Sequence, residues 1–266
     1  MGVSFAVSSW ALHNTIGVTY HDSPAKGPQG RAVHGAAPMD LLELPAALSA
    51  HGFSAMQLCH FHLPSREPSY LADLKSALSS AKVALHALLV DDGDPSDPEN
   101  ADRDTAWIAG WLETADALGA AHGRVIAGKQ ETSEEGIVRS ATHFRQLAAS
   151  CELRIETENW FPLLSSPAAV NRFLDLCEGV VGLCADWGNW PKPRRYEDLP
   201  QIMPRAETCH AKLDFATPTM LDWEDANALI SLTRASGFSG TYVLVNGGVG
   251  GSEWDALQIQ RSAIES

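Results

Sequence analysis

Apolar positions along the chain alternate between short continuous runs and longer stretches with helical spacing. The short runs predict buried strands and the longer stretches predict amphipathic helices that cover them. The predicted strands are Val3–Ser8, Ala55–Cys59, Val83–Val90, Arg124–Ala127, Leu153–Glu158, Val180–Ala185, Thr208–Leu213 and Thr241–Val245. The predicted helices are Asp40–His51, Tyr70–Lys82, Ala101–Leu118, Glu134–Ser150, Pro167–Cys177, Tyr196–Pro204, Trp223–Ser236 and a last one from about Ser252.

Eight strand–helix units in one chain predict the α/β class and a single (β/α)8 TIM barrel that occupies residues 1–266. The length of 266 residues is near the ~250 typical of one such barrel. No GxGxxG motif follows the first strand, which argues against an open dinucleotide-binding sheet. Residues 13–38 lack clear periodicity and are predicted to form a long functional or mobile loop between the first strand and the first helix.

The amino-acid composition limits the kinds of molecule that the predicted barrel is expected to bind. The formal net charge of −14 disfavours nucleic acid and anionic membrane surfaces, because both require a basic face. The five cysteines form no CxxC pair and are expected to be reduced thiols. No apolar run reaches the ~18 residues of a membrane span, and no signal-peptide pattern opens the chain. We therefore expect a cytoplasmic protein that acts on a small molecule, with a homo-oligomer possible.

Polar residues collect where the predicted strands end, which is where a TIM barrel carries its active site. Glu158, Asp186 and His210 come from three consecutive strands and could converge on one centre, since neighbouring strands lie ~4.8 Å apart. Two carboxylates and one imidazole suit Mn²⁺, Mg²⁺, Co²⁺ or Zn²⁺. Glu156 shares the inward face of the fifth strand with Glu158, where a carboxylate is unfavourable unless it is paired or bound to metal.

Several of these residues have a structural interpretation as well. Glu158 could instead form an ion pair with Arg154, Arg124 or Lys212. Lys212 could polarise a substrate carbonyl or simply neutralise Glu158. His60 and His62 at the end of the second strand could contact substrate, although one of them could be structural. Trp187 could stack on a sugar ring or close the barrel mouth, and the glycine run 247–251 is similar to a phosphate-binding loop.

Short motifs on successive strands resemble the xylose isomerase-like TIM-barrel superfamily, the sugar phosphate isomerases and epimerases. The matching pieces are Thr157-Glu158-Asn159-Trp160, Asp186-Trp187-Gly188-Asn189, His210-Ala211-Lys212, and Gly240 before the last strand. The likeness spans nearly the whole chain in order.

The resemblance implies a divalent metal held by Glu158, Asp186 and His210. The family's fourth ligand, a glutamate on the eighth strand, falls at Val245 or Asn246 in this sequence. Residues expected to bind substrate are His60, His62, Asn159, Trp187, Asn189 and Asn246, with Asn189 in the place of a usual histidine.

The expected function is that of a metal-dependent isomerase or epimerase of a small sugar or sugar phosphate. An enediolate-type proton transfer would use Glu158 as the base and Lys212 or a histidine of the second strand as the partner acid. Two alternatives stay open at this point. One is a degenerate, metal-free sugar-binding barrel, and the other is a metal-dependent hydrolase or lyase with three protein ligands.

Overall fold

Eight parallel strands close into a barrel in the computed structural model, which describes residues 3–246 and 251–266. The first strand pairs with both the second and the eighth, and this double pairing closes the sheet. The predicted (β/α)8 fold is confirmed. The eight barrel strands, first to eighth, are Ser4–Ser8, Ala55–Cys59, Ala84–Val90, His122–Val125, Arg154–Glu158, Val181–Asp186, Ala206–Lys212 and Thr241–Val245.

Helices follow the strands and cover the outside of the barrel. They are Leu44–Ala50, Pro68–Ala81, Ala101–Leu118, Glu134–Ser150, Pro167–Leu176, Arg195–Asp198, Trp223–Ala235 and Glu253–Glu265. Their ends obey local rules: the Ser133 hydroxyl caps the helix Glu134–Ser150, and Gly119, with a φ of 78°, ends the helix Ala101–Leu118. Among the described residues, no helix combines the length and apolar character needed to cross a membrane. All five cysteines are free thiols, as predicted.

The segment 13–38 contains regular secondary structure that apolar periodicity does not predict. A short helix, His13–Ile16, leads into an antiparallel hairpin formed by Val18–Ser23 and Gly27–Val33. The segment connects the first barrel strand with the helix Leu44–Ala50, and these elements lie within that long connection. The second hairpin strand is mostly exposed, so it carries no alternation of apolar and polar residues. A smaller hairpin, Phe215–Thr217 with Met220–Leu221, follows the seventh strand and was also missed.

The barrel interior is polar toward the amino ends of its strands. Buried Glu156 accepts a hydrogen bond from Thr208 (2.6 Å), and its Oε1 lies 3.3 Å from Nδ1 of His122. The His122 ring stacks on His86 at a centroid distance of 4.5 Å, and His86 contacts the Gln57 amide. Burial favours the uncharged form of His122, but the Glu156 carboxylate outweighs it and raises the pKa of His122.

This pair predicts a pH-dependent stability. A raised histidine pKa stabilises the fold at pH values below the unfolded histidine pKa, and the contribution is lost as pH rises through the folded value. His122→Asn should therefore cost more unfolding free energy at pH 6 than at pH 9, by about 1–3 kcal/mol. Urea unfolding at both pH values measures this difference. In a Glu156→Gln background the larger cost at pH 6 should disappear, because the carboxylate that outweighs burial is gone, and a larger cost at pH 6 that persists would contradict the pairing.

Gly240 is the residue before the eighth strand, and its backbone passes close to the backbone of the seventh strand. A Cβ at this position would overlap the carbonyl oxygen of Glu207, which belongs to the seventh strand and cannot move without breaking the sheet. Gly240→Ala should thus lower the unfolding free energy by about 3 kcal/mol or more.

A matched control for Gly240→Ala is Gly110→Ala, within the helix Ala101–Leu118. A Cβ at Gly110 meets only the Arg66 guanidinium, at 3.2 Å, which donates to Gly110 O and Thr114 and has to shift slightly. The helix propensity of alanine offsets this shift, so stability should change by no more than about 1 kcal/mol. Urea unfolding of the two variants compares them directly. Equal stabilities would refute the proposed backbone overlap.

Candidate active site

A cavity of about 290 Å³ opens at the carboxyl ends of the barrel strands. Glu158, Asp186, His210, Lys212 and Asn189 all line it. The structure thus brings together both residues predicted to be catalytic, all three predicted metal ligands and one predicted substrate contact. The cavity walls also include Trp10, Phe61, Trp160 and Val245.

Strand register explains why the three predicted ligands meet. Glu158 and Asp186 are the last residues of the fifth and sixth strands. Asp186 pairs directly with His210 on the seventh strand, and Glu158 pairs with Cys184. The His210 Nδ1 atom lies 3.4 Å from Oε2 of Glu158 and 3.5 Å from Oδ2 of Asp186. All three residues are at most 4% exposed.

Arg124, from the fourth strand, places a fixed positive charge beside Glu158. Its Nε atom lies 3.1 Å from Glu158 Oε2, and its Nη2 atom lies 2.5 Å from Asp91 Oδ1. Burial raises the pKa of a carboxylic acid, but the Arg124 charge outweighs burial and lowers the pKa of Asp91. The interpretation of Glu158 as one half of an ion pair is therefore partly realised, with Arg124 rather than Arg154, which pairs with Glu207 at the surface.

His210 is oriented from below by Gln57 on the second strand. The Nε2 atom of His210 lies 2.8 Å from the Gln57 carbonyl oxygen, which can only accept, so Nε2 carries the proton. Nδ1 is then the nitrogen that faces the two carboxylates. Burial lowers the pKa of a histidine, yet the surrounding groups Cys184, Glu158 and Asp186 raise the pKa of His210 well above its usual value.

Asp186 is held by contacts on both of its sides. The Asn159 side chain accepts from the backbone N–H of Asp186 (2.7 Å) and donates to its carbonyl oxygen (3.1 Å), so Asn159 positions this strand end. The Gly188 N–H donates to Oδ1 of Asp186. Burial raises the pKa of such a carboxyl group, but His210 and Lys212 together lower the pKa of Asp186. Gly188 also leaves room for the Lys212 stem, which a Cβ would displace.

The remaining predicted substrate contacts lie outside this cavity lining. Trp187 is fully buried and donates to Thr233, a residue of an outer helix. His60 packs against Trp107 and Trp111, and its Nδ1 lies 3.3 Å from the Asp91 N–H. His62 bridges Ser9 (2.8 Å) and His13 (3.1 Å). Asn246 is buried just after the eighth strand, and most of the glycine run falls at 247–250, outside the described residues.

A model of the xylose isomerase-like TIM barrel family matches residues 45–213. The chain belongs to this family. No curated protein matches the sequence. The family membership confirms the resemblance seen in the sequence, and the TIM-barrel fold accounts for the position of the cavity at the strand ends.

Solved structures with the same fold match this chain over nearly its whole length. A xylose isomerase-like TIM barrel protein from Mycobacterium smegmatis, in complex with magnesium, has 15% identity and a TM-score of 0.68, with 98% of each chain covered. D-psicose 3-epimerase from Clostridium cellulolyticum H10, with D-tagatose, has 13% identity and a TM-score of 0.70, covering 99% of this chain and 100% of the other. A probable 3-DHS dehydratase from Bacillus anthracis has 8% identity and a TM-score of 0.68, with 99% of each chain covered.

The described residues include one group of three side chains whose possible ligand atoms all lie within 4.8 Å of one another. This group is Glu158, Cys184 and His210. Asp186 is not part of it, although its Oδ2 atom lies 3.5 Å from His210 Nδ1. Cys184 was not foreseen as a ligand, although it lies two residues before Asp186 and so shares the inward face of the strand. Val245, one of the two positions where the resemblance places the eighth-strand glutamate, lines the cavity, and its side chain cannot bind a metal.

Proposed function

We propose that this protein is a metal-dependent isomerase or epimerase of a small sugar or sugar phosphate. In this proposal a proton moves between neighbouring substrate carbons by way of an enediolate. The observation that carries it is the presence of a carboxylate, Glu158, and an ammonium group, Lys212, in one cavity with the family's metal-binding residue types. Family membership and the epimerase neighbour make a carbohydrate the expected substrate class.

The donor set fits a divalent cation. Glu158, Asp186 and His210 would hold it, and Oε2 of Glu158 makes no hydrogen bond, although the Arg124 Nε atom lies 3.1 Å away. When bound, the metal would polarise substrate oxygens and stabilise negative charge that develops on them. The missing eighth-strand carboxylate removes the family's second glutamate, so a different group must act as the second acid or base.

The protein's own residues suggest how the proton is moved. Asn189 donates to Oε1 of Glu158 (2.5 Å) and so fixes the plane of the carboxylate, which would abstract the proton. Lys212 lines the same cavity. As the partner acid, it would donate a proton to the substrate oxygen and take that proton back when the carbonyl group forms again. Trp10, Phe61 and Trp160 provide apolar walls that would pack against a sugar face and exclude water.

Two observations favour a second candidate, the metal-free sugar-binding barrel. The Arg124 guanidinium already neutralises Glu158 and Asp91, and Val245 supplies no ligand. In that case the cavity would bind sugar without turnover. A metal-dependent lyase is a third possibility, favoured by the probable dehydratase among the structures of similar fold.

Deuterium exchange in the presence of defined metals distinguishes the three candidates. Chelator-treated protein is incubated in D₂O with Mn²⁺, Mg²⁺, Co²⁺ or Zn²⁺ and a panel of ketoses, aldoses and their phosphates. Metal-dependent incorporation of carbon-bound deuterium, followed by NMR, is the expected result. Loss of water from the substrate would instead identify a lyase, and sugar binding without exchange under any metal would identify the binding protein.

A further inference from the structure

The sixth strand carries two side chains toward the barrel axis at its carboxyl end, Cys184 and Asp186. Because strand side chains alternate, Cys184 lies on the same face as Asp186 but one layer deeper. Its backbone partners are Glu158 on one side and Thr208 on the other. The thiol thus lies between the strands that supply Glu158 and His210, and it is fully buried.

The distances around this thiol suit a shared ion. The sulfur, a Glu158 oxygen and a His210 nitrogen lie within 4.8 Å of one another. Bonds of about 2.3 Å to sulfur and about 2.0–2.2 Å to nitrogen and oxygen keep two ligands of one ion within ~4.5 Å of each other. Small side-chain adjustments would therefore let all three atoms reach one cation.

Two independent features favour metal binding by the other two proposed ligands, Glu158 and His210. The Glu158 Oε2 atom is buried without a hydrogen bond, although Arg124 Nε lies 3.1 Å away. Gln57 fixes the His210 proton on Nε2 and leaves Nδ1 toward the centre, which is how a supporting residue orients a metal-bound histidine. A Glu158 oxygen and a His210 nitrogen lie within 4.8 Å of the Cys184 sulfur.

We propose that Cys184 supplies a thiolate ligand to the metal of this site, in place of the carboxylate that the eighth strand lacks. The inference rests on the proposed metal-dependent function. When the bond forms, the thiol proton passes to the solvent buffer and the sulfur binds the ion, with no redox change. A sulfur ligand selects Zn²⁺ or Co²⁺ over Mg²⁺ and Mn²⁺, because soft ligands favour the softer ions.

Cobalt provides the direct test, since a thiolate bound to Co²⁺ gives a charge-transfer band in the near ultraviolet. The metal-stripped full-length protein is titrated with Co²⁺ and then with competing Zn²⁺ or Mn²⁺. We expect the band in the wild type and its loss in Cys184→Ser and in Cys184→Ala, with folding checked by circular dichroism. Zn²⁺ affinity should fall by more than the about 10–100-fold that loss of an outer partner causes, while Mn²⁺ affinity should change by less than about 10-fold.

Two matched variants control the assignment. Cys209→Ser alters a buried cysteine of the seventh strand that packs with the main core, and Cys59→Ser alters the cysteine that lines the cavity from the second strand. Both should keep the band. Cobalt binding without the band would overturn the thiolate ligand and leave the metal-dependent function in place. Failure of the protein to bind any of the metals would overturn both.

Discussion

Replacing Glu158 with glutamine is expected to lower carbon-bound deuterium exchange by about 10²–10⁴-fold, the usual contribution of a positioned general base. The amide has nearly the shape of the carboxylate and can still accept from Asn189, so the geometry of the cavity is retained. It cannot take a proton from carbon. The measurement is the NMR exchange rate on whichever sugar the wild type turns over, with thermal unfolding as a check on the fold.

Glu156→Gln is the matched control for that experiment. Glu156 lies on the same strand and the same inward face as Glu158, but it contacts Thr208 and His122 instead of lining the cavity. Its replacement should leave the exchange rate within about 3-fold, in line with a residue that makes no substrate contact. A Glu158→Gln variant that retains more than a tenth of wild-type exchange would remove Glu158 from the role of base.

Replacing Arg124 with methionine should destabilise the protein by about 3–5 kcal/mol, because it leaves Asp91 and Glu158 as buried carboxylates without their cation. Both carboxylates contact Arg124, whose side chain is only 3% exposed. Methionine keeps most of the side-chain volume, so the effect reports on charge more than on packing. The measurement is the free energy of unfolding in urea at neutral pH.

Arg154→Met provides the comparison for Arg124. Arg154 pairs with Glu207 at the surface, where its side chain is 33% exposed, and loss of such a pair costs about 0–1 kcal/mol. Adding Asp91→Asn to Arg124→Met should recover part of the lost stability, since one unpaired charge disappears. A cost below about 1 kcal/mol for Arg124→Met would mean that solvent or another cation already neutralises these carboxylates.

Much of the site could be predicted because strand ends are visible in the sequence. Glu158, Asp186 and His210 each follow an apolar run, and consecutive parallel strands bring their ends to one edge. Cys184 carried the same kind of signal through its two-residue spacing from Asp186. Trp187 was misleading, because the residue after a strand can turn outward, and here its indole reaches an outer helix.

The hairpin formed by Val18–Ser23 and Gly27–Val33 could not be predicted from the sequence, for a different reason. A strand pattern is read from the burial of one face, and this hairpin has little burial on either face of its second strand. Its pairing depends on backbone hydrogen bonds, which any residue other than proline can provide. Apolar periodicity therefore could not reveal it.

The sequence by itself determined the barrel, the order of its strands and the three polar side chains at consecutive strand ends. The two-residue period of a strand decides which side chains face inward, and that period can be read locally. Only the tertiary structure decided that Arg124 joins Glu158 to Asp91, that Gln57 holds His210, and that the Cys184 sulfur lies beside them. These contacts join residues far apart in the chain, and the register and closure of the whole sheet set their distances.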